Sequence, residues 1–347
     1  MARTAHPSQS VTTSLAIEPL EIFCGRHGVY SPFETERIRA GRNSEVSRLS
    51  NGDGQWILKH YYQHGSDKRD RLGTEFGFLT FLKNAGVPGV SQPLGMDRVS
   101  HRALYSFLPG KQPVAITSAH IVQAANFIGN VNLLSTSADA MALPAAADAC
   151  FSWKDHLDLV ETRIGRLSTV QPESGLELEA YEFVEQQLAP LWSRLKNKLA
   201  QEVTSSQLAE PLPFGSRIIS PSDFGFHNTL EEEGNLSFVD FEYAGWDDPA
   251  KLICDFTCQP ELPMSVSQGR QFMKELLPSL PQSDDVRHRV DSLLPAHRLK
   301  WCCILLNEFR AEDRQRRLHA GVEQGGLLAD QLRKAKLYFN THIATSI

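Results

Sequence analysis

The sequence predicts an α+β protein in two lobes, a small sheet carrying one helix and then a larger, mainly helical part. Three observations lead there. Asn51-Gly52-Asp53-Gly54 is a hairpin signal standing before Gln55-Trp56-Ile57-Leu58-Lys59-His60-Tyr61, so a strand, a turn and a strand come early in the chain. Beyond residue 109 apolar residues recur at helical spacing, as in Ile121, Ala124, Ile128 and Val131 and again in Tyr181, Val184, Leu188, Leu191, Leu195 and Leu199. One stretch, Ile218 to Pro249, interrupts the helical part with short apolar segments around a second turn signal, Gly234-Asn235. The 347 residues, 41% of them hydrophobic, suffice for two such units.

Taken in order, residues 1–20 are rich in Ser, Thr and Ala without periodicity and read as a loose lead-in. Residues 21–108 form the small lobe. In its helix, around Leu72 to Leu82, the residues Phe78, Leu79 and Leu82 fall three, four and seven positions after Glu75, which sets that carboxylate on the apolar face. A buried charge there wants a cationic partner, and Lys59 in the preceding strand is the candidate. A solvated glutamate near the first helical turn is the alternative. Gly86-Val87-Pro88-Gly89 ends the helix, and Tyr105-Ser106-Phe107-Leu108 is an apolar strand stopped by Pro109-Gly110.

Residues 109–347 form the helical lobe. Ser135 to Ala149 is rich in Ala and Ser and reads as a mobile connection, Phe151 to Leu167 as a helix, and Pro190 is expected to kink the helix that holds Tyr181 to Leu199. Helical patterns follow at Lys251 to Cys258 and at about 265–277, 285–317 and 326–342. Glu308, Glu312 and Asp313 alternate with Arg310, Arg314, Arg316 and Arg317, a mixture that reads as a solvated face.

Composition excludes several classes. A net charge of −6 with acids and bases interspersed gives no footprint for nucleic acid or an anionic membrane. No run approaches the roughly 18 apolar residues of a span, and the first residues lack the apolar core of a secretory signal, so a cytoplasmic protein is expected. The six cysteines are too irregularly spaced for a disulfide framework. Cys254, Cys258, Cys302 and Cys303 read as small buried hydrophobes, with a zinc site as the alternative.

The chemistry gathers between Ile218 and Pro249. Asn228 lies six residues before Gly234 and Asp240 six after it, so a hairpin would bring their side chains to one open end, as two ligands of a hard cation. Asp223 stands five residues before Asn228 on a segment too rich in Ser, Pro, Gly and Phe for a helix. A loop carboxylate beside such a cation is what phosphoryl transfer requires.

These residues carry a resemblance. Asp223 to Asn228 has the spacing of the protein-kinase catalytic loop, and Asp240-Phe241-Glu242 stands where D-F-G stands. With Tyr243-Ala244-Gly245 and Asp248-Pro249, the run is similar to the aminoglycoside phosphotransferase and choline kinase group. That resemblance implies a protein-kinase-like fold and a Mg2+- and ATP-dependent transfer, GTP not excluded, to a hydroxyl of a small metabolite such as a sugar, an amino alcohol or a glycan precursor. It implies Asp223 as base and Asn228 and Asp240 as metal ligands, with Glu242 as a further metal or acceptor contact. It also implies Gly41, Asn43 and Ser44 in the loop covering the phosphates, Lys59 binding them with Glu75 orienting it, and Ser106, Phe107 and Leu108 as the hinge taking the purine edge. The chain departs from the pattern at Pro221, where the family has a loop-bracing His. A nucleotide-binding scaffold without turnover is therefore the alternative, and a protein-substrate kinase a third, disfavoured because Glu242 replaces the D-F-G glycine. Oligomeric state is not legible.

Overall fold

The computed structural model describes residues 17–38, 44–63, 69–319 and 326–344. Gly41 and Asn43 lie outside the described residues. A short helix, Leu20–Arg26, comes first and buries Phe23 and Cys24 against Leu49, Leu58 and Leu104 of the sheet. The sheet has five antiparallel strands in the order β1 (Glu34–Ile38), β2 (Ser44–Asn51), β3 (Gly54–Tyr61), β5 (Arg102–Ser106) and β4 (Pro93–Asp97). Asn51 and Gly54 pair across the β2–β3 turn, with Asn51 Oδ1 accepting from the Asp53 N–H, the side-chain turn bond that favours Asn there.

The helix Arg71–Asn84 is capped by Asp70, whose carboxylate accepts the Gly73 N–H, and buries Leu72, Phe78, Leu79 and Leu82. These side chains join a core that continues into the helical part through Ile121, Ile128, Phe224, Phe241 and Phe256. A second core lies farther along, around Leu157, Trp192, Leu299 and Tyr338. No helix among the described residues is long and apolar enough to cross a membrane.

Four expectations are corrected. The hairpin of β7 (Thr229–Glu232) and β8 (Asn235–Phe238) turns on Glu233-Gly234, not Gly234-Asn235: Glu232 pairs with Asn235, and both turn residues have positive φ, 50° and 82°. Asn228 therefore faces Val239, whose N–H bonds its carbonyl, and Asp240 lies one residue beyond.

Ser135 to Ala149 is not a free connection. It contains the turn of helix Ala138–Met141, and its later part is bonded to the central stretch through Ala146 N–H to Trp246 O, Trp246 N–H to Pro144 O and Ala147 N–H to Tyr243 O. Close approach explains its small residues and Gly245, where a Cβ would lie 2.3 Å from the Pro144 carbonyl oxygen.

Pro190 follows a π-helical turn, Val184–Leu188, and starts the helix Ala189–Glu202, so the missing N–H falls where wider winding accommodates it. Finally, the 285–317 pattern is a helix Ser283–Leu305, a 3-10 turn Asn307–Phe309 and a helix Ala311–His319. That break turns Glu308 and Phe309 inward.

Candidate active site

The central stretch presents its polar side chains because its backbone is set by neighbours. Strand β6 (Ile218–Ser220) pairs with β9 (Gly245–Asp247), anchoring both ends of the stretch. Between them, Ser222 adopts φ 66°, its N–H bonds Ser220 Oγ and its hydroxyl donates to the Ala147 carbonyl. The loop around Pro221 is thus braced by two serines. Asn228 Nδ2 donates to the Asp223 carbonyl at 2.9 Å, closing the loop on itself. Asp240 has φ 68°, a left-handed conformation rare outside glycine, which aims its side chain differently from a continued strand.

Asp223, Asn228 and Asp240 line one cavity of about 920 Å³, with Arg69, His227 and Tyr243 beside them. At its inner edge Lys59 Nζ lies 2.7 Å from Glu75 Oε2, 2.6 Å from Asp240 Oδ1 and 3.6 Å from Glu242 Oε2. Burial works against this ammonium, yet Asp240, Glu75 and Glu242 outweigh it and hold its pKa well above the ordinary lysine value. The hydroxyl of Tyr61 donates to Glu75 at 2.8 Å, and the Phe241 N–H reaches Glu75 Oε1 at 3.3 Å. The Ser44 hydroxyl donates to Glu242 Oε2 at 3.0 Å, and Arg71 Nε lies 3.4 Å from Glu242 Oε1. Ligand oxygens of Glu75, Asp240 and Glu242 fall within 4.8 Å of one another, the one such grouping among the described residues.

The hinge residues are placed differently from one another. The Ser106 N–H donates to the Gln92 carbonyl and its hydroxyl accepts the Gln92 N–H, both within the lobe. Phe107 and Leu108 follow the end of β5 and are partly exposed.

Farther from Asp223 and Asn228 the cavity is lined by groups that sequence reasoning missed. The helix Pro249–Cys258 carries Lys251 and Asp255, and Ser283–Leu305 carries Lys300 and Trp301. Asp255 Oδ1 accepts from Lys300 Nζ and, at 3.1 Å, from Trp301 Nε1, while its Oδ2 lies 3.5 Å from Lys251 Nζ. Burial opposes its ionisation, but Lys300, His297 and Lys251 keep its pKa well below the usual carboxylate range. Lys251 also pairs with Asp247 at 2.7 Å. Burial nevertheless raises Asp247 to about 6. Behind this floor Asp248, the cap of the Pro249–Cys258 helix, pairs with Arg289 and lies 2.8 Å from His156 Nε2. His156 Nδ1 faces His297 Nε2 at 3.0 Å, and His297 Nδ1 faces Asp255 Oδ1 at 3.0 Å. Burial is the main cause that keeps both rings neutral, holding His156 well below the usual value and His297 at about 3.

The outer wall corrects the solvated-face reading. Glu308 and Asp313 are 4% and 7% exposed and line the cavity, Asp313 paired with Arg310; Glu312 alone of the three acids is exposed. The cysteines do not gather around a metal among the described residues. Cys254 and Cys302 donate to the carbonyls of Val290 and Ala335, and burial pushes the Cys258 and Cys303 thiols up to about 12.

Residues 34–256 match the model of the phosphotransferase enzyme family. No curated protein sequence matches the chain. Among solved structures, a choline/ethanolamine kinase family protein from Mesorhizobium loti aligns at TM-score 0.55 and 16% identity, over 90% of this chain and 89% of that one. A spectinomycin phosphotransferase in complex with ADP and spectinomycin aligns at TM-score 0.58 and 12% identity, over 89% and 88%. An amicoumacin kinase solved with AMP-PNP and Ca2+ aligns at TM-score 0.55 and 12% identity, over 94% and 95%. At these identities the likeness is one of fold.

Proposed function

We propose that this chain, which belongs to the phosphotransferase enzyme family, moves the γ-phosphoryl group of ATP to a hydroxyl of a small metabolite with a divalent cation, Mg2+ by preference. The observation that carries the reading is that Asp223, Asn228 and Asp240 open into one cavity and that Asp240 is paired with Lys59, which Glu75 holds from behind. Asp223 accepts the acceptor's proton. Asn228 and Asp240 hold the cation; an all-oxygen donor pair at a cavity edge suits a hard divalent ion, and such an ion supplies charge neutralisation on the phosphates. Lys59 binds the phosphates and Glu75 keeps it aimed. With the Ser106 N–H already bonded to Gln92, the purine edge falls to Phe107 and Leu108. Ser44, for which a phosphate contact was expected, donates its hydroxyl to Glu242.

The serine bracing around Pro221 favours turnover over a scaffold role, since the loop is held without the family's His. The test is phosphate transfer from Mg-ATP to a panel of hydroxylated metabolites that includes choline and ethanolamine, comparing wild type with Asp223→Ala. A general base is worth roughly 10²- to 10⁴-fold, so the variant should lose that much; a full rate in Asp223→Ala removes the base assignment. Nucleotide binding with no acceptor turned over would favour the scaffold instead.

A further inference from the structure

We infer that His227 is a positioning residue of the transfer, holding the Asp223 carboxylate through its Nε2–H; this deepens the proposed reading and rests on Asp223 as base. His227 Nε2 lies 3.5 Å from Asp223 Oδ1, one helical-turn spacing along the loop, and both residues line the cavity with Asn228 and Asp240. The ring is mostly buried, with a side-chain exposure of 15% against 36% for Asp223.

Two further observations fix the ring's orientation and its proton. Its other nitrogen, Nδ1, is buried and has no hydrogen-bond partner among the described residues. A neutral imidazole carries one ring proton, and a buried N–H without an acceptor is costly, so the proton belongs on Nε2, the side that faces the carboxylate. The niche for the ring is made by Gly225: a Cβ there would lie 2.6 Å from His227 Nδ1 and 2.9 Å from its Cε1. The glycine's extended backbone, φ −176°, is open to any residue, so space for the imidazole is what excludes a side chain. The backbone of His227 is fixed as well, its carbonyl accepting Gln112 Nε2 at 3.1 Å.

Asp223 is thereby bonded through its carbonyl to Asn228, and its carboxylate faces His227 Nε2. A carboxylate on a loop rotates about its side-chain bonds, and a donor on Oδ1 sets that rotation before the acceptor hydroxyl arrives. At 3.5 Å the contact is longer than a formed N–H···O bond of about 2.9 Å. Contacts of this kind tighten when the reacting complex assembles.

The experiment compares His227→Leu, which removes the donor, with His227→Gln, which keeps an N–H near the position of Nε2, each alone and on the Asp223→Ala background. We expect His227→Leu to lower kcat about 10-fold, about 1.4 kcal/mol, with KM for Mg-ATP and thermal midpoint unchanged, and His227→Gln to recover most of the rate. On the Asp223→Ala background His227→Leu should cost nothing more, because its effect runs through Asp223. An equal loss on both backgrounds, or a fall in thermal midpoint shared by both variants, overturns the proposal. A second measurement reads the tie without turnover: ¹⁵N-resolved spectra of the ring, assigned by loss of the signal in His227→Gln. They should show the Nε2–H tautomer in wild type and a changed Nε2 signal in Asp223→Ala. An unchanged signal removes the tie even in an active enzyme, whereas an unaffected rate in Asp223→Ala removes the base assignment and leaves the spectral result standing.

Discussion

Two buried ionic clusters border the cavity, and they are built in opposite senses. At the inner edge three carboxylates, Glu75, Asp240 and Glu242, converge on one ammonium, Lys59. At the floor two ammoniums, Lys251 and Lys300, converge with Trp301 and His297 on one carboxylate, Asp255. A lysine-centred cluster can release one acid to an arriving cation, because the lysine keeps the others. Asp240 is the acid so placed, with its side chain 27% exposed while those of Glu75 and Glu242 are 6% and 1%. An aspartate-centred cluster cannot release its centre without stranding the buried Lys300, since only Lys251 keeps a second carboxylate, Asp247. The first arrangement suits exchange with ligands, the second permanence.

The strongest way to break that contrast is Asp255→Asn. Removing the centre of a buried cluster should cost about 3–5 kcal/mol, read as a lowered urea midpoint. A cost below about 1 kcal/mol would mean that water reaches Lys251 and Lys300. Asp240→Ala is the counterpart at the inner edge. Ligand-free stability should change by less than about 1 kcal/mol, as for other partly exposed pairs. Mg-ATP at about 100 times its Kd should stabilise wild type by about 2.7 kcal/mol and the variant by much less. A large ligand-free loss in Asp240→Ala would make the two clusters alike.

The gentlest probe is pH. Below about 6.5 an unfolded histidine binds a proton that neutral, buried His156 and His297 do not, so each ring makes stability fall as pH falls. Asp247 acts oppositely: its folded value of about 6 lies above the ordinary 3.8, so between those values the folded state holds the extra proton. Asp255, with its value depressed, contributes stability that is lost only at lower pH still. Between pH 6 and 4 the rings and the carboxyl oppose each other, the rings drawing stability down as pH falls and Asp247 holding it up. Asp247→Asn should steepen the fall of urea-derived stability on acidification, and an unchanged slope would remove Asp247 from the balance.

The Lys59–Glu75 pair of the lysine-centred cluster was legible in the sequence because both residues sit on regular elements. Glu75 follows helical periodicity, and Lys59 follows a turn signal. The α+β architecture followed from the same periodicities. The aspartate-centred cluster left a fainter mark: Lys251 and Asp255 are spaced by four on one helical face and Asp247 stands four residues earlier at the end of a strand, yet pairing with Lys300 and His297 depends on a helix some forty residues away. Glu308 and Asp313 were misread because alternating acids and bases look alike on a solvated helix and at a helix break that turns inward. The one-residue shift of the hairpin shows a different limit, since Gly234 fits either turn and only the pairing of Glu232 with Asn235 decides. His227 gave no periodic signal at all; its relation to Asp223 is one of loop geometry.

The line from Asp248 through His156 and His297 to Asp255 has three contacts, but two neutral imidazoles bring only two ring protons. One contact is therefore always without a proton. It is the central one when each ring donates to its own carboxylate, and an end one when both rings donate the same way. A single tautomer change moves the vacancy between the centre and an end, and the two end states point the line either toward the helix cap or toward the cavity floor. A group that bonds Asp255 from the cavity biases that direction, and paired changes in the ¹⁵N signals of the two rings would reveal it.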